Sequence, residues 1–472
     1  MKRNISVIIL CLPWGITGSG CSSRADEDNE SRPQVVVLLS LDTLRADRLG
    51  VYGYKRKTAL RLRALASESI RFATVMAQST QTLISHKSIF TGKYPLHLAH
   101  ETTGADLDAL GSLDDPQGYL VDTFRNLKSK PLAALFREHG YETAAFTDGG
   151  WMSQEMGFTK GFDVYDDRGG HLANILPRVY DWVEKNRSKR FFLFVHTYDT
   201  HCPYPCREPY NSLFCEDHSK HVALEGLCGK PDLMNMSLTP TDLTAISDHY
   251  DGGIASADAY VGVFMDKLRQ WNLFDQALII VTSDHGESLG DHDQIGHGGL
   301  YLEQLMVPLI IKFPTSWNVA PAVIQAGVEM VDVMPTICEI CSLDTPDDLN
   351  GHSLLSLIGE PVEAHRYLIA QTTYREGRQA VTNPSKRAIL DPGDWLLIHD
   401  ARGQSMELFD LRADPKGHIN VAKENPNKLQ NLLQAQAAYD PQPFRGNITE
   451  QETDEISEKV KQQLRSLGYG GN

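Results

Sequence analysis

Three short apolar runs in this chain each end in residues that can bind a metal ion or move a proton. Ala277 to Ser283 leads into Asp284-His285, Val35 to Leu41 into Asp42, and Phe191 to Val195 into His196-Thr197-Tyr198-Asp199-Thr200-His201. Apolar runs of this length read as buried strands. In an open α/β sheet, ligands bind outside the carboxyl ends of the strands. Three separate strands would then deliver carboxylates and imidazoles to one crevice. That donor set suits a divalent cation activating an oxygen nucleophile, so the chemistry to expect is metal-assisted hydrolysis.

The elements that must position these groups follow from the pattern around them. From Val35 onward strand and helix signals alternate. Pro131 to His139 predicts a helix with Pro in its first turn, Glu142 to Thr147 a strand, and Pro177 to Lys185 a helix before the Phe191 strand. Thr239 to Trp271 predicts a long helix opened by Thr239-Pro240 and bent near Gly252-Gly253; strands follow at Ala277 and at Val307 to Phe313. The fold class is therefore α/β: a large, mostly parallel sheet flanked by helices. After Leu357-Ile358-Gly359 the pattern changes. Arg387 to Leu390, Trp395 to Ile398 and Glu407 to Leu411 predict a small antiparallel sheet, closed by a helix at Asn427 to Ala437. The expected organisation is a catalytic domain over 34–358, a small α+β subdomain over 359–444, and a polar tail over 445–472 with one surface helix.

A net charge of −16 argues against a nucleic-acid partner, because that binding rests on Lys and Arg neutralising phosphates. It leaves room for a small anion, since a bound cation reverses the local field. Residues 1–20 read as an export signal: Lys2 and Arg3, an apolar stretch from Ile5 to Ile16 too short to span a bilayer, then Gly18-Ser19-Gly20. Cys21 then falls where a bacterial lipoprotein carries its lipid, and 22–33 reads as a tether. The implied location is the bacterial cell envelope, with membrane contact through the lipid anchor alone. Six cysteines remain: Cys202, Cys206, Cys215, Cys228, Cys338 and Cys341. An even number in an exported chain suits disulfides, and Cys338-x-x-Cys341 reads as a buried structural pair.

The segment Asp42 to Gly53, the segment Ser79 to Gly92, Ser283-Asp284-His285-Gly286-Glu287, Gly296-His297-Gly298 and Glu407 to Leu411 with Asp414-Pro415 together resemble the sulfatase family of the alkaline phosphatase superfamily. The resemblance runs from about residue 34 to 437. It implies that Thr82 occupies the nucleophile position, with Asp42, Thr82, Asp284 and His285 holding a metal. In sulfatases proper that position is a Cys or Ser oxidised to formylglycine, a route closed to threonine. Ile84 and His86 replace the accompanying Pro and Arg, Thr43 stands where many members carry a second Asp, and His285 where many carry Asn.

Losing a carboxylate and gaining an imidazole shifts the expected ion from calcium towards zinc or manganese. Thr82 would act as a metal-activated nucleophile in the manner of the family's Thr-dependent relatives. His201 and His297 are candidates for protonating the leaving oxygen. His86 and Asp199, with His201 and His297, are expected to contact substrate, and His86, His97 and His100 to line the mouth. Asp199, His201 and His297 could instead hold a second ion, although one ion is preferred. Asp47 and Arg48 read as a solvated turn, and Glu287 as support for a ligand or a helix's first turn. The expected substrate is an anionic ester, sulfated or phosphorylated, on a glycan or lipid. Two other readings stay open: a phosphoryl-group transferase acting on envelope glycans or lipids, and an inactive binding protein of the same fold.

Overall fold

The computed structural model describes residues 32–103, 125–202, 204, 209–210, 213–214, 238–359, 366–372, 386–400, 405–439 and 457–467. The export signal, Cys21, Cys206, Cys215 and Cys228 lie outside the described residues.

In chain order the strands are β1 (Val35–Leu41), β2 (Ile70–Met76), β3 (Glu142–Phe146), β4 (Val164–Asp166), β5 (Phe191–Thr197), β6 (Ala277–Thr282), β7 (Ser288–Leu289), β8 (Ile295–Gly296), β9 (Leu309–Lys312), β10 (Ala322–Glu329), β11 (Leu368–Thr372), β12 (Lys386–Leu390), β13 (Trp395–Asp400) and β14 (Met406–Asp410). The helices used below are α1 (Leu60–Ala66), α2 (Thr82–Thr91), α3 (Pro95–Thr103), α4 (Leu132–Glu138), α5 (His171–Asn186), α6 (Pro240–Gln270), α7 (Val333–Ile340), α8 (Pro426–Ala437) and α9 (Glu458–Ser466).

Eight strands form the main sheet in the order β10-β2-β9-β6-β1-β5-β3-β4. Its neighbours are parallel except where β9 meets β2 and β6. β1 is central and buried along its whole length. Val35, Val37, Leu39 and Leu41 face one core and Val36 and Leu38 the other, the period of two that a strand imposes. β11 to β14 form the small antiparallel sheet. It joins the main body where the Ile369 N–H donates to Glu329 (2.7 Å) and the Gln371 N–H to the Gln78 carbonyl (2.8 Å).

Several expected boundaries move. α5 begins at His171, so Pro177 lies inside it. Leu172, Ile175, Leu176, Val179 and Val183 all bury on one face. At roughly 1.5–3 kcal/mol each, that outweighs the ~3 kcal/mol cost of an interior proline. α6 is one helix without a break at Gly252-Gly253, opened by a Thr239–Asp242 capping box with Pro240 after it. The glycines serve close approach instead: a Cβ on Gly253 would stand 2.8 Å from the Asp199 carbonyl oxygen. β2, β10 and β11 have no clean apolar signature in sequence. In β2, Arg71 is the second residue, with its charge over the Tyr52 ring. The tail helix α9 is anchored, with Val460 and Leu464 entering the main core. Arg48 is not solvated; it donates to Ser247 (2.7 Å) and Tyr54 (3.1 Å). Cys338 and Cys341 are buried thiols, not a disulfide, and burial pushes Cys338 up to about 12. Among the described residues no helix is long and apolar enough to cross a membrane.

Candidate active site

β6, β1 and β5 are adjacent and parallel, so their carboxyl ends open side by side. Asp42 follows β1 and Asp284-His285 follow β6. One side-chain atom from each of these three residues lies within 4.8 Å of the others. All three are completely buried.

Thr82 reaches the same point from α2. The helix starts at Thr82 with Gln81 as N-cap. The Thr82 hydroxyl lies 3.4 Å from His285 Nε2. Backbone N–H groups of a helix's first turn lack partners within the helix, which favours an anion beside Thr82.

The hydrogen bonds fix how these groups present themselves. His285 Nδ1 donates to the Gly286 carbonyl (3.0 Å), which leaves the Nε2 lone pair facing Thr82 and Asp284. Ser283 Oγ accepts from the Leu44 N–H (2.9 Å) and donates to the His285 carbonyl (2.7 Å), tying the loops after β1 and β6 together. Arg45 spans the same two loops, donating to the Glu287 carbonyl (2.9 Å), Asp291 (2.7 Å) and Asp47. Thr43 holds a left-handed φ of 59°, an outlier for a β-branched residue and typical of strained functional loops. Its N–H points at Asp284 (3.3 Å) and its hydroxyl donates to the Thr200 carbonyl (3.0 Å).

Asp42 Oδ1 and Asp284 Oδ2 are buried without a hydrogen-bond partner. Burial and the charge of Asp284 push the Asp42 carboxyl well above its usual range. Burial acts on Asp284 too, but His285, His86 and His196 hold it below the carboxylate range. Two orphaned carboxylate oxygens beside an imidazole lone pair form a set that a divalent cation satisfies. These residues fit a metal.

Around this centre the structure sorts the remaining candidates. His201 and His297 meet, Nε2 to Nε2 at 3.2 Å, and the His297 ring lies 4.3 Å from that of His285. Asp199 is turned away. Its carboxylate accepts from the Leu172 N–H and the Thr197 hydroxyl (2.9 Å each) and faces His171 (3.5 Å). It belongs to neither of the clusters of described residues that bring three metal-ligand atoms together. His86 does not line a mouth: it is fully buried, donating from Nδ1 to the Thr82 carbonyl (2.9 Å) and accepting at Nε2 from Ser40 (3.0 Å). His97 and His100 lie on α3, where no hydrogen bond among the described residues joins them to the cluster, and His97 packs on Tyr94. Glu287 is fully buried in the loop before β7 rather than in a helix, and burial lifts its carboxyl to about 8.

Sequence reasoning named His196 at the end of its apolar run but gave it no role of its own; it lies 3.0 Å from Asp42 Oδ2. The available signal was positional: Ser40 and His196 are polar residues in register at the ends of two fully apolar strands.

The sulfatase family model matches residues 34–342, and a model described as the N-sulphoglucosamine sulphohydrolase C-terminal region matches 290–440. The multifunctional alkaline phosphatase superfamily protein PehA of Trinickia caryophylli is 26% identical over 281 residues, 52% of this chain and 54% of that protein, so the match spans about half its length. An arylsulfatase of Clostridium perfringens is 23% identical, covering 84% of this chain and 93% of that one. Arylsulfatase K of Mus musculus is 30% identical, covering 42% and 36%. Among solved structures, a phosphonate monoester hydrolase of Agrobacterium radiobacter superposes with a TM-score of 0.68 at 21% identity, covering 86% of this chain and 95% of that one.

Proposed function

Because this chain belongs to the sulfatase family of the alkaline phosphatase superfamily, we propose that it is an exported, metal-dependent hydrolase of sulfate- or phosphorus-type esters, with Thr82 as nucleophile. The observation that carries the reading is the Thr82 hydroxyl 3.4 Å from His285 Nε2, beside the orphaned carboxylate oxygens of Asp42 and Asp284. Asp42, Thr82, Asp284 and His285 would hold one divalent ion, zinc or manganese rather than calcium. Bound there, the ion lowers the pKa of an oxygen nucleophile and polarises the substrate oxygen.

The chain's own groups supply the rest. α2 aims the Thr82 oxygen, and its free first-turn N–H groups face the transferred group. Thr82, its hydroxyl proton already given up to solvent, attacks in line as the alkoxide, forming a covalent ester to threonine while the bond to the leaving oxygen breaks; hydrolysis later returns the threonine oxygen as that alkoxide. The His201–His297 pair gives that oxygen a proton and takes one from the water that later hydrolyses the threonine ester.

Charge favours a singly negative group. Among the described side chains those around Thr82 are imidazoles and carboxylates. Arg45 and Lys87 on neighbouring segments are committed, Arg45 to Asp47 and Asp291 and Lys87 to the Gly157 carbonyl. A phosphodiester, a phosphonate monoester or a sulfate monoester carries one charge at the reacting centre. Phosphorus comes first, because Thr82 cannot supply the aldehyde of the sulfatases proper. The natural substrate would be an ester on an envelope glycan or lipid, with the enzyme lipid-anchored through Cys21 in the bacterial cell envelope, at the periplasmic face or the cell surface.

The test is kinetic: kcat/KM for p-nitrophenyl sulfate, p-nitrophenyl phosphate, bis(p-nitrophenyl) phosphate and p-nitrophenyl phenylphosphonate. Preference for the diester or phosphonate is expected. Preference for the sulfate with unmodified Thr82 would overturn the phosphorus assignment; no turnover of any of them would overturn the enzyme reading.

A further inference from the structure

We infer that His196 is a positioning residue for the metal centre, holding the Asp42 carboxylate in the rotation that turns one oxygen towards the cation. The inference rests on the metal-dependent reading above and adds a residue that reading does not use.

Three observations converge on it. First, the two Asp42 oxygens are unequal: Oδ2 lies 3.0 Å from His196 Nε2, while Oδ1 is buried with no partner. Second, the donor is held. His196 is fully buried, and its ring is caught edge-on between His86 (centroids 5.1 Å apart, planes at 79°) and Tyr198 (4.7 Å, 87°). Third, the Asp42 backbone is fixed by the same strand end, its N–H donating to the Thr197 carbonyl (3.0 Å) and its carbonyl accepting from the Thr200 hydroxyl. With its main chain and one oxygen tied to β5, Asp42 has one oxygen left to offer.

The competing possibility is that His196 is itself a ligand, because Asp42, His86 and His196 also place three ligand atoms within 4.8 Å. The hydrogen bonds argue against it. His86 has both ring nitrogens engaged, Nδ1 on the Thr82 carbonyl and Nε2 on Ser40. The orphaned oxygen of Asp284 belongs to the other set, with His285. His86 instead ties α2 to β1, through the Thr82 carbonyl and the Ser40 hydroxyl. Partners of metal-bound side chains, though outside the coordination shell, typically contribute 10–100-fold to metal affinity.

The experiment uses the full chain. His196→Phe keeps an aromatic ring and removes the donor, and His196→Gln keeps an N–H donor. Zn²⁺ and Mn²⁺ affinity is measured by chelator competition, with ions bound per chain and the melting temperature of the metal-free protein alongside. The expected result is one ion per chain throughout, affinity weakened about 10–100-fold in His196→Phe and largely restored in His196→Gln. Unchanged affinity in His196→Phe overturns the inference. So do two ions in the wild type falling to one in the variant, which would make His196 a ligand. Equal losses in both variants, tracking a lower metal-free melting temperature, reduce it to a packing role. If His196→Phe does not fold, His196→Asn, too short to reach Oδ2, replaces it under the same criteria. A wild-type chain that binds the ion with the expected His196 dependence but hydrolyses none of the esters leaves this inference standing and removes the functional one. A wild-type chain that binds no ion removes both.

Discussion

His201 and His297 face each other Nε2 to Nε2 at 3.2 Å, and each directs Nδ1 at a backbone carbonyl, of Cys202 and Thr80 respectively. Both Nδ1 atoms must therefore donate. The contact between the rings is a hydrogen bond only when one of them carries a second proton. Burial pushes both rings down, His201 to about 4, so the shared proton is favoured when an anion enters beside them.

The pair is expected to act as the acid. His201→Ala and His297→Ala should each lower kcat about 10²–10⁴-fold for esters of aliphatic alcohols. For p-nitrophenyl esters, whose leaving group needs little protonation, the loss should be much smaller. At saturating metal, kcat/KM for aliphatic esters should fall as pH rises above about 4, because the protonated form of a group with a lowered pKa is lost early. A steady-state comparison of the two substrate series checks this; equal losses on both remove the acid role.

Thr82→Ala should abolish turnover, by on the order of 10³-fold or more, while Thr82→Ser keeps part of it. Mass spectrometry of acid-quenched enzyme should find the transferred group on the peptide containing Thr82. Wild-type turnover rates in Thr82→Ala would place the nucleophile elsewhere.

Metal and protons should compete at Asp42. Its carboxyl is raised well above the usual range by burial and by Asp284, so the metal-free protein holds a proton there that the cation must displace. Affinity for Zn²⁺ or Mn²⁺ should therefore weaken as pH falls. Calorimetry in buffers of different ionisation enthalpy should register proton release on binding.

Glu287 contributes a pH dependence of the opposite sense to that of a salt-bridged acid. Its folded pKa, about 8, lies above the 4.5 of an exposed Glu. Between those values the folded chain binds a proton that the unfolded chain does not, so stability is greatest below pH 4.5 and falls as pH rises towards 8. Glu287→Gln should remove that slope and raise the melting temperature of the metal-free protein at pH 8. Melts across pH 5–9 decide it.

Gly253→Ala should cost about 1–3 kcal/mol, because the added methyl would meet the Asp199 carbonyl oxygen at 2.8 Å. The strand end that carries His201 must then shift, so kcat should fall along with stability. Thermal melts and steady-state kinetics on the same preparation test both.

Much of the frame was readable along the chain. β1 matched its expected span residue for residue, and β5 and β6 began where expected, because a central strand buried on both faces is a continuous apolar run. The strand ends that carry Asp42, Asp284 and His285 followed directly. β2 and β10 were not readable, since half-exposure dilutes the apolar signal and Arg71 interrupts β2; β11 is buried but short, and Gln371 and Thr372 break its apolar run. Pro177 and Gly252-Gly253 misled because each has a local meaning that packing overrode.

Sequence alone determined which strand ends carry metal-binding chemistry and that Thr82 stands near them, since apolar continuity and motif order are properties of neighbouring residues. Only the tertiary structure decided how side chains from distant segments face one another. His201 and His297 stand 96 residues apart and His196 and Asp42 154 apart, yet each pair meets within about 3 Å. Asp199, two residues from His201, turns to His171 instead. Side chains two apart can serve different networks once the chain leaves its strand, and the packing of α2, α5 and α6 around that loop settled which.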